Sequence, residues 1–205
     1  AYNISMAWRF DGPLDAGALR GALSALMERH TVLRTSYTMA SDDGSFIQRV
    51  NEVPTDDALL LERSAADEAA GEALLAEDAS RGFELLGERS NVMRCTLVQA
   101  GSDRRHLLLI NVHHVAFDGG STTVLLRELG ALYGALSGGG TLADAALAEL
   151  PAQYVDYALW QRSEAVEAQL GGSLAYWREQ LSEGVLPVLE LPTDFPRPSV
   201  QTFRG

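Results

Sequence analysis

The sequence predicts an α/β sandwich in which a mixed, largely antiparallel sheet is flanked by helices in two layers. Three observations predict it. Short apolar segments with strand-like alternation recur between segments whose apolar residues follow helical spacing. The two kinds do not alternate strictly, as they would in a fully parallel sheet, so a mixed sheet is favoured. The 205 residues, 46 % of them hydrophobic, are enough for a packed core.

The elements follow in order. Residues 3–10 alternate as a strand, and Asp11-Gly12-Pro13 turns the chain. Leu14, Ala18, Leu19, Ala22, Leu23, Leu26 and Met27 recur at helical spacing, which predicts an amphipathic helix over 15–29. Residues 32–39 and 46–50 read as two strands joined by the turn Ser41-Asp42-Asp43-Gly44-Ser45. Residues 59–62 fit a short edge strand, 65–80 a helix rich in Ala, Glu and Leu, and 82–85 a loop. Strands are expected over 91–99 and 105–112, joined by Ala100-Gly101-Ser102-Asp103, with a long helix over 121–136. Ser137-Gly138-Gly139-Gly140 reads as a flexible linker, and two helices fit 151–168 and 171–182. From Leu186, Pro187, Pro192, Pro196 and Pro198 impose an extended, irregular tail.

Charge and composition exclude several function classes. Lys and Arg total 16 against 28 Asp and Glu, a net charge of −12 without a basic stripe, so a nucleic acid would be repelled at long range. All the basic residues are Arg, which together with abundant Ala, Gly and Leu points to a high-GC bacterial genome. No apolar run approaches the ~20 residues of a membrane span. The start, Ala1-Tyr2-Asn3-Ile4, shows no signal peptide, so a cytoplasmic protein is expected. Without an initiator Met the chain reads as a segment of something longer. The single cysteine, Cys95, allows no internal disulfide and no Cys-rich zinc site, and in its strand it reads as a small buried hydrophobe.

Chemistry concentrates where the strand from Arg105 ends on His113-His114. Asp118-Gly119-Gly120 follows, and then Ser121 opens a helix. Adjacent residues on a strand point to opposite faces, so one histidine can face a cavity while the other packs inward. An imidazole titrates near neutral pH and can take a proton from a nucleophile. Glycines let a ligand approach the backbone, and the free N–H groups of a helix start stabilise negative charge. Taken alone, a His-His pair is more often structural or metal-binding than catalytic. A metal fits poorly here, because the two rings diverge and the other histidines, His30 and His106, are not near in sequence. For Asp118 a helix cap, a turn or an ion pair outweighs direct proton transfer.

The run His113-His114-Val115-Ala116-Phe117-Asp118-Gly119 resembles the HHxxxDG signature of the condensation domains of nonribosomal peptide synthetases, a superfamily similar in fold to chloramphenicol acetyltransferase. Arg29-His30-Thr31-Val32-Leu33-Arg34-Thr35-Ser36-Tyr37 resembles RHExLRTxF, with Thr31 in place of Glu. Tyr154-Val155-Asp156-Tyr157-Ala158-Leu159-Trp160 resembles YxDFAxW. The ending, from Leu191-Pro192-Thr193-Asp194-Phe195-Pro196-Arg197-Pro198 to Phe203-Arg204-Gly205, is similar to these domains as well, so the likeness spans the whole chain.

The resemblance implies amide-bond formation: an acceptor aminoacyl amine attacks a donor thioester. Both substrates ride on the phosphopantetheine of donor and acceptor peptidyl carrier proteins, and this lobe itself binds no cofactor or metal. His114 is implied as the residue that positions or deprotonates the amine, and His113 as a support. Asp118 is implied as a structural residue, salt-bridged to Arg34. Gly119 would line the substrate channel, with Gly120 and Ser121 beside it, and Tyr154, Asp156 and Trp160 would brace their helix. The histidine pair is not the Asp of heterocyclising relatives, and Thr122 stands where epimerising relatives usually carry Trp. Gly120 replaces a bulkier residue common in peptide-forming members.

Family members are about twice this length and have two lobes. Residues 1–205 would then be the amino-terminal lobe, inactive alone, with the second lobe and its VGxFVNT-like segment absent. Two other functions fit the same superfamily: a noncatalytic platform recruiting carrier proteins or other partners, and a CoA-dependent acyltransferase. A free-standing trimeric acetyltransferase would place its histidine near the carboxyl end, whereas His114 is central.

Overall fold

The computed structural model describes residues 2–40, 44–55, 58–87, 90–101, 104–182, 190–196 and 198–200. The chain divides into two compact units, residues 1–153 and 154–205.

The first unit is built on a four-stranded sheet of β1 (Asn3–Asp11), β4 (Leu61–Ala65), β5 (Met93–Ala100) and β6 (Arg105–His113), in the order β1-β6-β5-β4. β6 runs antiparallel to both β1 and β5, while β4 runs parallel to β5. The mixed, largely antiparallel sheet flanked by helices is the class the sequence predicts. Strand alternation sorts the core into two sides. Leu108, Ile110 and Val112 of β6, with Cys95 and Leu97 of β5, pack with Leu23, Leu26 and Met27 of α1 (Ala16–Arg29) and Leu125, Leu129 and Leu132 of α3 (Gly119–Ser137). Leu107 and Leu109, with Val98 and Ala100, pack on the other side with Leu75 of α2 (Glu68–Ser80). Gly71 permits that contact: a Cβ there would lie 2.8 Å from Leu107 Cδ1 and 3.5 Å from Ala100 Cβ.

Helix starts follow capping chemistry. The side chains of Asp15, Asp67 and Asp118 accept the N–H groups of Ala18, Ala70 and Ser121 at the heads of α1, α2 and α3.

Three expectations need correction. Residues 32–34 of the expected strand 32–39 are not strand. His30 closes α1, Thr31–Arg34 forms a 3-10 turn, and only Thr35–Met39 (β2) pairs with Phe46–Val50 (β3). Thr31 and Val32 favour extended backbone. Local bonds override them: Leu33 N–H donates to His30 O, and Thr35 Oγ1 donates to Thr31 O at 2.8 Å. The predicted turn residues Ser41 to Asp43, and Ser102 and Asp103 of the other turn, lie outside the described residues. The segment 137–140 is no flexible linker. Gly138, Gly139 and Gly140 donate backbone bonds to Gly134, Leu136 and Ala135, closing the end of α3 with Gly139 at φ +78°.

In the second unit the helix break falls elsewhere than predicted. α4 is Tyr154–Gln161 and α5 is Glu164–Ser182, so Gly171 and Gly172 lie inside α5. Ser163 O accepts the amides of Val166 and Glu167, starting α5 there. Interior glycines weaken a helix without necessarily ending it. Residues 190–196 carry no helix or strand, as their prolines predict; Leu186, Pro187 and 201–205 lie outside the described residues.

Candidate active site at the end of strand β6

β6 delivers the two histidines to the rim of the sheet. Asn3 of β1 pairs opposite His113, and His113 N–H donates to Val92 O at 2.8 Å. The next residue leaves the strand, and His114 N–H is held by Tyr2 O at 2.8 Å. A turn follows over 114–116, closed by Ala116 N–H to His113 O at 3.0 Å. Phe117 anchors it, buried to 5 % exposure in the core between α1 and α3. Val115, on the outside of the turn, is exposed.

The two rings are in different situations. His113 Nδ1 accepts the Val115 N–H at 3.0 Å, which leaves its proton to Nε2. Its ring also meets Phe83 edge-on, at 6.1 Å between centroids and 83° between planes. Burial, then the neighbouring His114, holds His113 below the ordinary histidine value, so the neutral form that accepts the Val115 bond is favoured. His114 is exposed. One ring is thus bonded within the loop, and the next residue lies at the surface.

Asp118 is the cap of α3. Its Oδ1 accepts Ser121 N–H at 2.9 Å and Ser121 Oγ–H at 2.7 Å, and Asp118 N–H lies 3.2 Å from Ser121 Oγ, a reciprocal capping box. The Ser121 side chain and then its backbone hold the carboxyl below the usual carboxylate range. The expected Asp118–Arg34 ion pair is not formed. Because Arg34 ends the 3-10 turn, its guanidinium reaches back to the carbonyls of Met27 (2.9 Å) and Glu28 (3.3 Å) at the end of α1, and to Asn51 O. Arg34 is thus a clamp on the C-terminus of α1.

Gly119 and Gly120 follow the cap on the exposed side. A Cβ at Gly119 would meet nothing within 4 Å among the described residues, so none of them demands glycine there. His113, His114, Asp118, Gly119, Gly120 and Ser121 form one continuous loop-to-helix junction. Tyr154, Asp156 and Trp160 belong to the second unit. There the rings of Tyr154 and Trp160 flank Tyr157, 6.0 and 5.6 Å from it.

Sequence reasoning missed two groups near the junction. Glu128 of α3 is buried to 2 % exposure and binds Arg29 Nε (3.0 Å) and His30 Nε2 (2.6 Å) through Oε2. The first two residues of the second motif are therefore tied to α3. An acidic residue in the apolar register of Leu125, Leu129 and Leu132 was the available signal. The other group is Phe83 with Arg94, whose signal was an arginine between the apolar Val92-Met93 and Cys95 of a predicted strand.

Among the described residues no group of three or more His, Cys, Asp or Glu side chains is placed to hold a metal ion, and no helix is long and apolar enough to cross a membrane. Cys95 is buried, and burial raises its thiol far above its ordinary value.

Known proteins share this organisation. A model of the Condensation domain family matches residues 1–205. A linear gramicidin synthase protein of Brevibacillus parabrevis is 39 % identical over 208 residues, covering 100 % of this chain and 3 % of that protein. Phosphinothricin tripeptide synthetase PhsC of Streptomyces viridochromogenes is 40 % identical over 208 residues, covering 100 % of this chain and 18 % of that protein. The crystal structure of the X-domain from teicoplanin biosynthesis superposes with a TM-score of 0.81 at 30 % identity, over 98 % of this chain and 43 % of that one. The chain spans a small part of these curated relatives and less than half of the solved domain.

Proposed function

The chain belongs to the condensation-domain family, and we propose that it is the amino-terminal lobe of such a domain, contributing His114 to amide-bond formation between two carrier-bound substrates. The observation that supports this reading is the contrast between the two histidines at the end of β6. His113 has its Nδ1 lone pair committed to Val115 N–H, while His114 is exposed one residue further on. The chemistry needs only what such a histidine offers. The acceptor amine nitrogen forms a bond to the thioester carbonyl carbon, the C–S bond breaks, and the donor thiol leaves. His114 orients the amine or takes its proton, which passes to the departing sulfur. A thioester is already activated, so holding both phosphopantetheine arms in place supplies much of the acceleration.

The Asp118 cap fixes the head of α3 beside the reacting groups, and Gly119 leaves open space there. A second lobe, outside these residues, would supply the opposite wall, and the isolated lobe would be inactive.

The test uses the complete condensation domain with donor and acceptor loaded on carrier proteins, and mass spectrometry of the acceptor carrier. The expected result is a mass gain equal to the donor acyl group, with free acyl-CoA a poor donor. Carrier binding without product would overturn this reading in favour of a noncatalytic platform. Efficient use of acyl-CoA would overturn it in favour of a CoA-dependent acyltransferase.

A further inference from the structure

The C-terminal end of α2 leaves carbonyl groups without helical partners. Side chains from three different strands donate to carbonyls of its last turn and of the exit that follows; among these Asp78 O also accepts the Arg81 N–H. Asn3 of β1 donates from Nδ2 to Ala79 O (3.0 Å) and Arg81 O (2.9 Å), and Asn111 of β6 donates to Asp78 O (3.2 Å). Arg94 of β5 does the most. Its guanidinium donates to Asp78 O (3.2 Å), Arg81 O (2.6 Å) and Gly82 O (3.1 Å). The next residue is Phe83, and Arg94 Cζ lies over its ring at 3.9 Å from the centroid. The far side of the contact chain is the Phe83 edge on His113. An unbroken series therefore runs from Arg94 through Phe83 to the ring whose Nδ1 holds the Val115 amide.

We propose that Arg94 and Phe83 are positioning residues for the histidine loop: Arg94 fixes the exit of α2 and stacks on Phe83, and Phe83 holds the His113 ring in the orientation that accepts Val115 N–H and so shapes the turn carrying His114. The consequence for catalysis rests on the proposed role of His114, whereas the ring orientation does not.

Several features favour positioning over simple packing. Arg94 is the second residue of the inner strand β5, beside the buried Met93 and Cys95, with a side chain only 17 % exposed, and burial, against the pull of Asp78, lowers its pKa from the ordinary arginine value. A buried guanidinium is costly unless its donors are used, and a hydrophobic residue would fill the volume at lower cost. What only arginine supplies is a planar fork that can reach several carbonyls and stack on a ring together. A cation over an aromatic face and an edge-on aromatic pair are each weak, directional contacts. Such terms are small for a fold and large for a ring that must choose between orientations.

The experiment is amide hydrogen exchange by NMR on the 205-residue chain, comparing wild type with Phe83→Leu, Phe83→Tyr and Arg94→Lys. Phe83→Leu keeps apolar volume without a ring; Phe83→Tyr keeps the ring. In wild type the Val115 amide is protected. In Phe83→Leu and Arg94→Lys it exchanges at least about tenfold faster, while the sheet amides of Cys95 and Ile110 keep their protection. Phe83→Tyr restores the Val115 protection. A Val115 amide that is unchanged in Phe83→Leu, or changes only in step with Cys95 and Ile110, overturns the proposal. In the complete domain the same variants lower kcat about tenfold at constant donor KM, as lost orientation does. Faster Val115 exchange with unaltered kcat would also overturn the positioning role. Absence of condensation by wild type would instead overturn the function proposed above and leave the exchange result to decide the ring geometry.

Discussion

Removing the Glu128 carboxylate provides a quantitative check on the packing of α1 against α3. Its Oε2 receives Arg29 Nε at 3.0 Å and His30 Nε2 at 2.6 Å, and the carboxylate is 2 % exposed against 20 % for each partner side chain. Glu128→Ala leaves Arg29 with its bond to Ala148 O and removes the acidic partner of His30. Deleting one member of a buried ionic group costs about 3–5 kcal/mol, and the partial exposure of the partners puts this case near the lower figure. Glu128→Gln keeps an oxygen that can accept from both donors but loses the charge, for about 1–2 kcal/mol. Urea unfolding followed by circular dichroism measures both, and the Ala variant should melt roughly 6–12 °C below wild type.

The pH dependence has a definite sign. Burial raises the Glu128 pKa, but the bonds from His30 and Arg29 outweigh burial and hold it below the ordinary value. A carboxylate depressed in the fold stabilises above its unfolded value of about 4.3 and loses that contribution as pH falls through its folded value. The gap between wild type and Glu128→Gln should therefore close on acidification below about pH 4.3. A Glu128→Ala cost under about 0.5 kcal/mol, or a gap that widens in acid, would refute the assignment of a stabilising buried carboxylate.

Three further outcomes are expected. Gly71→Val drives a side chain into Leu107 and Ala100, separates α2 from the sheet and lowers stability by about 1–3 kcal/mol in urea titrations. Cys95 resists alkylation at neutral pH in the native chain and reacts readily once unfolded, because burial disfavours its thiolate; mass spectrometry after iodoacetamide reads this directly. Gly119→Ala meets no atom of the described residues, so stability in urea should change by no more than about 0.5 kcal/mol. In the complete domain kcat/KM should fall, since the occupant of that open space would be substrate.

What the sequence disclosed divides along a physical line. Strands and helices were legible from local pattern: Leu107 to Val112 is an almost continuous apolar run, as a strand buried on both faces requires, and α1 and α3 carry apolar residues at helical spacing. The pattern places both histidines together on that strand, whereas β6 ends at His113 and His114 begins the turn. The helix-cap role of Asp118 was also legible, since Asp followed three residues later by Ser is a local pattern. The Arg34 partner was not. Which carbonyl or carboxylate a long side chain reaches depends on the 3-10 turn that aims it, and Thr31-Val32 reads as strand in isolation. The same limit applies to Glu128 and to Arg94 with Phe83. Each joins positions far apart in sequence, 98 residues for Glu128 and His30, and nothing local encodes the pairing. The break expected between 168 and 171 falls instead at 162–163, where Ser163 O accepts the amides of Val166 and Glu167 and starts α5.

The central claim is that His114 acts on substrate while His113 acts on the loop. Single-turnover condensation by the complete domain, read by mass spectrometry of the acceptor carrier, tests it in wild type, His114→Ala and His113→Ala, with Val115 amide exchange measured in the same three chains. The account predicts that His114→Ala loses condensation by about 10²-fold or more and keeps Val115 protection. His113→Ala should lose Val115 protection first, with activity falling as the loop loosens. Unchanged condensation in His114→Ala, or loss of Val115 protection in that variant alone, would contradict it.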